Sequence, residues 1–155
     1  MYKKILVPLD GSKLAECVFP HVEALAKGCQ TAAVEFVQVY APLQIPPSLE
    51  PIPLKKDEIV AISAQGKKIA ADYIQEVMER VDLEPAEGKG TVLSGPVTET
   101  LTDYIAKNDV DLIVMATHGS SGVSRWIWGS VADRLLRASC VPVMLVRAPG
   151  CYPGI

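Results

Sequence analysis

Apolar positions along the chain fall into four short, almost unbroken runs, separated by stretches in which they mostly recur with helical spacing. Residues 4–9, Lys-Ile-Leu-Val-Pro-Leu, read as a strand buried on both faces, because a solvated face would impose alternation. Pro8 is expected at its end, since proline gives nothing to a ladder. Asp10-Gly11-Ser12 supplies turn and cap chemistry ahead of Leu14, Ala15, Val18, Val22 and Leu25, whose spacing of about 3.6 predicts a helix over 13–27. Pro20 falls inside that helix and predicts a kink or local break. Residues 32–40 read as a second buried strand through Ala33, Val34, Phe36, Val37 and Val39. Five prolines, at 42, 46, 47, 51 and 53, make 41–56 an irregular connection, a surface loop or alternatively a lid or partner-contact segment.

From 57 to 81, Ile59, Ile62, Ile69, Tyr73, Ile74, Val77 and Met78 fit a long amphipathic helix that Gly66 does not break. A Glu-Pro-Ala-Glu-Gly turn at 84–88 leads to a third strand over 89–94. Ser94-Gly95-Pro96 places proline at a helix start, and Val97, Leu101, Tyr104 and Ile105 carry that helix to Lys107. Asp111 to Ala116 is a fourth strand, Ser130 to Ala138 a fourth helix, and Val141 to Val146 a fifth strand. The resulting β-α-β-α-β-α-β-α-β order predicts an α/β fold, a doubly wound, five-stranded, mostly parallel sheet with helices on both faces. In such sheets ligands bind beyond the carboxyl ends of the strands where strand order reverses, here the loops after strands one and four.

Length and composition narrow the class. The 155 residues suit one domain, read as 1–147 with a C-terminal tail over 148–155, and 49% hydrophobic against 21% charged residues with mean hydropathy +0.23 exclude disorder. A net charge of -3 without a basic stripe argues against nucleic acid. No apolar run is long enough for a signal peptide or a membrane span, so no membrane partner and a cytoplasmic location are expected. The four cysteines form no CxxC pair and read as reduced thiols. With only His21 and His118 in the chain, no protein-built metal centre is expected.

The chemistry concentrates at the predicted switch point. After strand four come Thr117-His118-Gly119-Ser120-Ser121-Gly122, and Gly129-Ser130 opens the next helix. Such glycines allow tight turns and close approach to an anion, and helix N-terminal amides point at negative charge. An ordinary turn and a helix cap account for the same residues equally well. No GxxxxGK[ST] and no GxGxxG occurs, which excludes a P-loop and a dinucleotide fingerprint. Asp10, at the end of strand one, reads either as a ligand for ribose hydroxyls or a base amino group, or as a cap for the first helix. His118 has no nucleophile in a recognised motif beside it, so no catalytic residue is assigned. Trp126 and Trp128 read as anchors of the loop before Gly129.

Taken together, Lys4-Ile-Leu-Val-Pro-Leu-Asp-Gly-Ser12, Val110 to Gly119, Trp128-Gly-Ser-Val131 and Val141-Pro-Val-Met-Leu-Val146 resemble the universal stress protein family in its small single-domain form. The resemblance implies strand order 3-2-1-4-5, the adenine nucleotide alpha hydrolase-like arrangement. Nucleotide-binding members carry G-x2-G-x9-G-[ST]; here Gly119, nine intervening residues, Gly129 and Ser130 match its later part, and Ala116 stands at the first glycine position. By similarity, Pro8, Leu9 and Asp10 border adenine and ribose, with Val39 and Met115 completing the base pocket beside Ala116. His118, Gly119, Ser120, Ser121 and Gly122 wrap the phosphates, to which Gly129, Ser130 and Val131 present donors. The implied ligand is ATP or AMP, with Mg²⁺ riding on the phosphates. The resemblance also implies a homodimer through the last strand and a role as a stress-response sensor or regulator with at most slow ATP hydrolysis. The alternative is a non-nucleotide-binding member acting as a dimeric protein-interaction module, which the alanine at 116 favours.

Overall fold

The apolar run at the start of the chain becomes the centre of a five-stranded sheet. The computed structural model describes residues 1–42, 56–117 and 129–147. In it β1 (Lys4–Leu9) lies between β2 (Ala33–Tyr40) and β4 (Leu112–Ala116), with β3 (Glu87–Ser94) and β5 (Val143–Val146) at the edges. The order is β3-β2-β1-β4-β5 and every pairing is parallel, as the alternating element order predicts. The connections carry α1 (Phe19–Gly28), α2 (Lys56–Arg80), α3 (Val97–Lys107) and α4 (Ser130–Ala138).

Residues of β1 alternate between two cores. Ile5, Val7 and Leu9 pack with Phe36, with Val22 of α1 and with Ile74 and Val77 of α2. Leu6 faces the other way, against Val37, Ile113, Leu101 of α3 and Leu135 of α4. Because both faces are covered, the strand shows an unbroken apolar run.

Several boundaries differ from those expected. Pro8 sits inside β1 and not at its end. The first helix is split: a 3₁₀ turn over Ala15–Val18 precedes α1, whose first turn holds Pro20. There a missing N–H costs nothing, because first-turn donors lack intrahelical acceptors anyway. On α2 the packed stripe is Ala70, Tyr73, Ile74 and Val77, whereas Ile62 and Ile69 are 44% and 62% exposed, so they belong to the flank and not to the core face. Lys56 already belongs to α2, and the rest of the proline-rich connection, 43–55, lies outside the described residues. β3 begins at Glu87, whose N–H donates to Ala32 O at 2.9 Å, within what reads as a turn. Its glycines hide the strand; Gly90 leaves the space that Ile74 fills. β5 starts two residues late, at Val143, after Pro142.

β2 also carries a buried charge within its apolar run. Glu35, its side chain 1% exposed, pairs with Lys4 Nζ at 3.2 Å and Lys89 Nζ at 2.8 Å. It also accepts hydrogen bonds from Thr91 Oγ1 at 2.7 Å and Tyr104 Oη at 2.5 Å. Burial pushes its carboxyl up, but the hydrogen bonds from Lys89, Tyr104, Thr91 and Lys4 outweigh burial and hold it at about 2.

Candidate functional site

The site begins where β1 and β4 part. Asp111 N donates to Lys4 O at 3.1 Å, so by the alternation of a strand Leu6 and Pro8 also turn their backbone groups towards β4. Pairing between the two strands ends at Leu6 and Ile113. The next backbone donor due on that side would be the N–H that Pro8 lacks. Beyond this point Val7 to Leu9 pair with β2, and Val114 to Ala116 pair with β5. A cavity of about 280 Å³ occupies the gap, near the lower end of the roughly 300–1,000 Å³ usual for small-molecule sites.

Each wall follows from a local device. Gly11 has φ +82°, a left-handed turn that suits glycine and lets the chain leave β1 sharply. Asp10 Oδ1 accepts from Ser12 N at 3.0 Å and Ser12 Oγ at 2.6 Å, and Ser12 Oγ accepts from Ala15 N at 3.2 Å. The turn is thus tied to the 3₁₀ segment below it, and Asp10 serves as turn residue and cavity wall together. That segment is anchored by Glu16, which receives both Arg80 Nη atoms at 3.1 Å and Lys13 Nζ at 3.2 Å. Burial raises the Glu16 carboxyl, and hydrogen bonds from Arg80 and Lys13 bring it below its ordinary value. Burial, with the carboxylates of Glu16 and Asp10, pushes the neighbouring Tyr73 hydroxyl up.

The start of α4 lines the same cavity as Asp10. Gly129 N donates to Thr117 O at 2.9 Å, and a Cβ on Gly129 would lie 3.3 Å from the same oxygen, so the helix start is pressed against the end of β4. Asp133 N is the first α4 donor to close onto Gly129 O, at 3.0 Å, which leaves the amides of 130–132 without intrahelical acceptors. Gly129 at the N-cap gives them no side-chain cap, and Ser130, Val131 and Ala132 all line the cavity. The N-terminus of a nine-residue helix therefore opens onto it, with its partial positive charge.

Nine of the fourteen residues expected at the site line one cavity. Pro8, Leu9 and Asp10 from β1 and its end, and Val39 from β2, line the cavity. Met115 and Ala116 reach it from β4, and Gly129, Ser130 and Val131 from α4. Ala116 is 9% exposed and belongs to the core cluster with Leu9, Ala15 and Val146, whereas Met115 belongs to the opposite cluster with Leu101. His118, Gly119, Ser120, Ser121, Gly122, Trp126 and Trp128 lie outside the described residues. Seven further lining residues were not assigned to the site from the sequence: Ala15, Val37, Gln38, Val97, Leu101, Thr117 and Ala132. Val97 and Leu101 stand four apart on α3, which starts at the same end of the sheet, so topology could have found them. Gln38 offers no such signal.

Among the described residues no group of three or more His, Cys, Asp and Glu is placed to hold a metal ion, and no helix is long and apolar enough to cross a membrane. Cys17, Cys29 and Cys140 are free thiols.

Comparison with known proteins gives a consistent picture. Universal stress protein MJ0531 of Methanocaldococcus jannaschii is 29% identical over 160 residues, covering 96% of this chain and 84% of that protein. The solved structure of MJ0577 from the same organism superposes with TM-score 0.73 at 24% identity, over 97% of this chain and 99% of that one. An Arabidopsis thaliana universal stress protein family structure with AMP bound superposes with TM-score 0.64 at 13% identity, over 96% and 93% of the two chains. The sequence model of the universal stress protein family matches residues 1–147, and the chain belongs to that family.

Proposed function

We propose that this chain binds an adenine nucleotide, ATP or AMP, in the cavity between the parted ends of β1 and β4. The observation that carries the reading is the start of α4, where the amides of 130–132, which have no intrahelical acceptors, line the same cavity of about 280 Å³ as Asp10. Phosphate lies against Gly129, Ser130 and Val131, held by backbone donors and the helix dipole. Asp10 accepts from ribose hydroxyls, and Pro8, Leu9, Val39 and Met115 enclose the base. With a net charge of -3 the chain offers no positive field, so these local donors carry the phosphate, and Mg²⁺ travels on the nucleotide. A relative solved with AMP bound supports the ligand class. The loop residues expected on the phosphates, His118 and Gly119 to Gly122, belong to the same reading.

On this reading the protein is a cytoplasmic sensor or regulator in a stress response, with at most slow hydrolysis. It pairs with a second copy through β5, an edge strand whose Val143, Met144 and Leu145 remain only half-buried in the single chain. The alternative, a dimeric interaction module without nucleotide, is favoured by Ala116 at the first glycine position; the placement of Ala116 in the core cluster beside Val146 weakens it. Isothermal titration with AMP and ATP, with and without Mg²⁺, decides between them. Saturable heat is expected, and its absence at millimolar nucleotide refutes nucleotide binding.

A further inference from the structure

Four side chains bring polar groups to the described cavity wall: Asp10, Gln38, Thr117 and Ser130. Gln38 differs from the others in one respect. Its Oε1 is buried, and among the described residues nothing donates a hydrogen bond to it. Buried carboxamide oxygens are nearly always paired, and an orphan at a cavity wall points to a partner that arrives with the ligand. The register fixes where along the ligand this partner lies. Gln38 stands opposite Leu9 in the ladder from β2 to β1, so it lies across β1 from β4 and from the α4 start. A nucleotide whose phosphate rests on α4 and whose ribose meets Asp10 extends its base towards β2.

Resting on the nucleotide reading, we infer that Gln38 is the specificity-determining residue of the site, its carboxamide accepting a hydrogen bond from the exocyclic 6-amino group of the purine. A carboxamide is suited to the task because it carries one acceptor and two donors on a plane. A half-turn about its terminal bond exchanges Oε1 with Nε2 within the same volume. The Nε2 atom now lies 3.3 Å from the place a Gly11 Cβ would occupy, so glycine at 11 also leaves the group room to turn. Hydrophobic contact alone would hold any flat heterocycle in this pocket; the carboxamide makes the amino group count.

The test is a cycle between ligand and protein, with AMP and purine riboside 5′-monophosphate, which lacks only the amino group, titrated into wild type and Gln38→Met. Wild type is expected to favour AMP by about tenfold, the worth of one well-made hydrogen bond, and Gln38→Met to bring the ratio close to one. An unchanged ratio in a folded variant overturns the inference while leaving nucleotide binding intact. Failure of wild type to bind either ligand overturns the nucleotide reading itself, and the inference with it. Should Gln38→Met not fold, the side-chain amide resonances of Gln38 in the ¹⁵N-labelled wild-type protein give the answer. They are expected to shift with AMP and to stay in place with purine riboside 5′-monophosphate; equal responses to both overturn the assignment.

Discussion

Tyr104 Oη donates to Glu35 Oε1 at 2.5 Å, joining α3 to β2 through a carboxylate that also holds Lys4 and Lys89. The contact fixes how α3 lies on the sheet. Leu101, three residues earlier on the same helix, is 1% exposed and forms part of the cavity wall. A charge network thus supports, within one turn of α3, a residue of the apolar wall.

Acid should release this network. The Glu35 carboxyl stands at about 2 against an ordinary 4.5, so the folded state binds its proton later than the unfolded chain does. Its contribution is complete above about pH 4.5 and is lost as pH falls towards 2. Urea unfolding across pH 2–7 is expected to show a fall of about 3 kcal/mol or less from this group. Glu35→Gln should flatten that part of the curve, and an unaltered slope would refute the assignment. At pH 7 Glu35→Ala, which strands two lysines, should cost about 2–4 kcal/mol.

Gly129→Ala places a methyl 3.3 Å from Thr117 O, a distance the helix start can accommodate by shifting a few tenths of an ångström. A stability change within about 1 kcal/mol is expected from thermal melting. Gly129→Leu adds bulk where phosphate should lie, so AMP titration should find binding reduced at least tenfold with the fold retained. Undiminished affinity would remove the α4 start from the phosphate site.

Gly11→Ala should destabilise by about 1–2 kcal/mol, because alanine pays for φ +82° with steric strain. Ser12→Ala breaks the relay from Asp10 to Ala15 N and should cost about 1 kcal/mol. Both effects are read from denaturant midpoints, and AMP affinity should fall in each because Asp10 loses its fixed setting.

Leu145→Lys puts a charge on β5 at a residue that does not itself line the cavity, although it packs beside Met115, so retention of the fold is checked alongside. If two copies pair along this strand, sedimentation or native mass spectrometry should show wild-type dimer and variant monomer. A dimer persisting in the variant would move the interface elsewhere.

The sheet is legible in the sequence because its strands are buried on both faces and so appear as apolar runs. The order 3-2-1-4-5 came with the family likeness, while the alternation of strands and helices already placed the site after β1 and β4. β3 is the exception, since Gly88 and Gly90 give helix α2 room and leave the strand without a hydrophobic signature. Glu35 likewise interrupts an apolar strand, and its partners Lys89, Thr91 and Tyr104 lie more than fifty residues away, so no local pattern could pair them. On α2, apolar residues at 62 and 69 satisfy a helical period but not the face that the sheet covers. Asp10, Gly129 and Ser130 were readable from turn and cap chemistry; Gln38 was not, because its significance lies in a missing partner.

Pro8 carries a kinetic consequence. A pair of parallel strands with every N–H present could zip shut and reopen, and a ligand would then wait for the open form. Here the imino nitrogen leaves the β1–β4 seam without its next rung, so no such hydrogen bond has to break for the proposed ligand to enter. On the nucleotide reading, the sheet is then expected to impose no gating step on capture. Variants of the wall should then differ chiefly in residence time, with arrival rates nearly alike, and Pro8→Ala, which returns the rung, is the change expected to slow arrival.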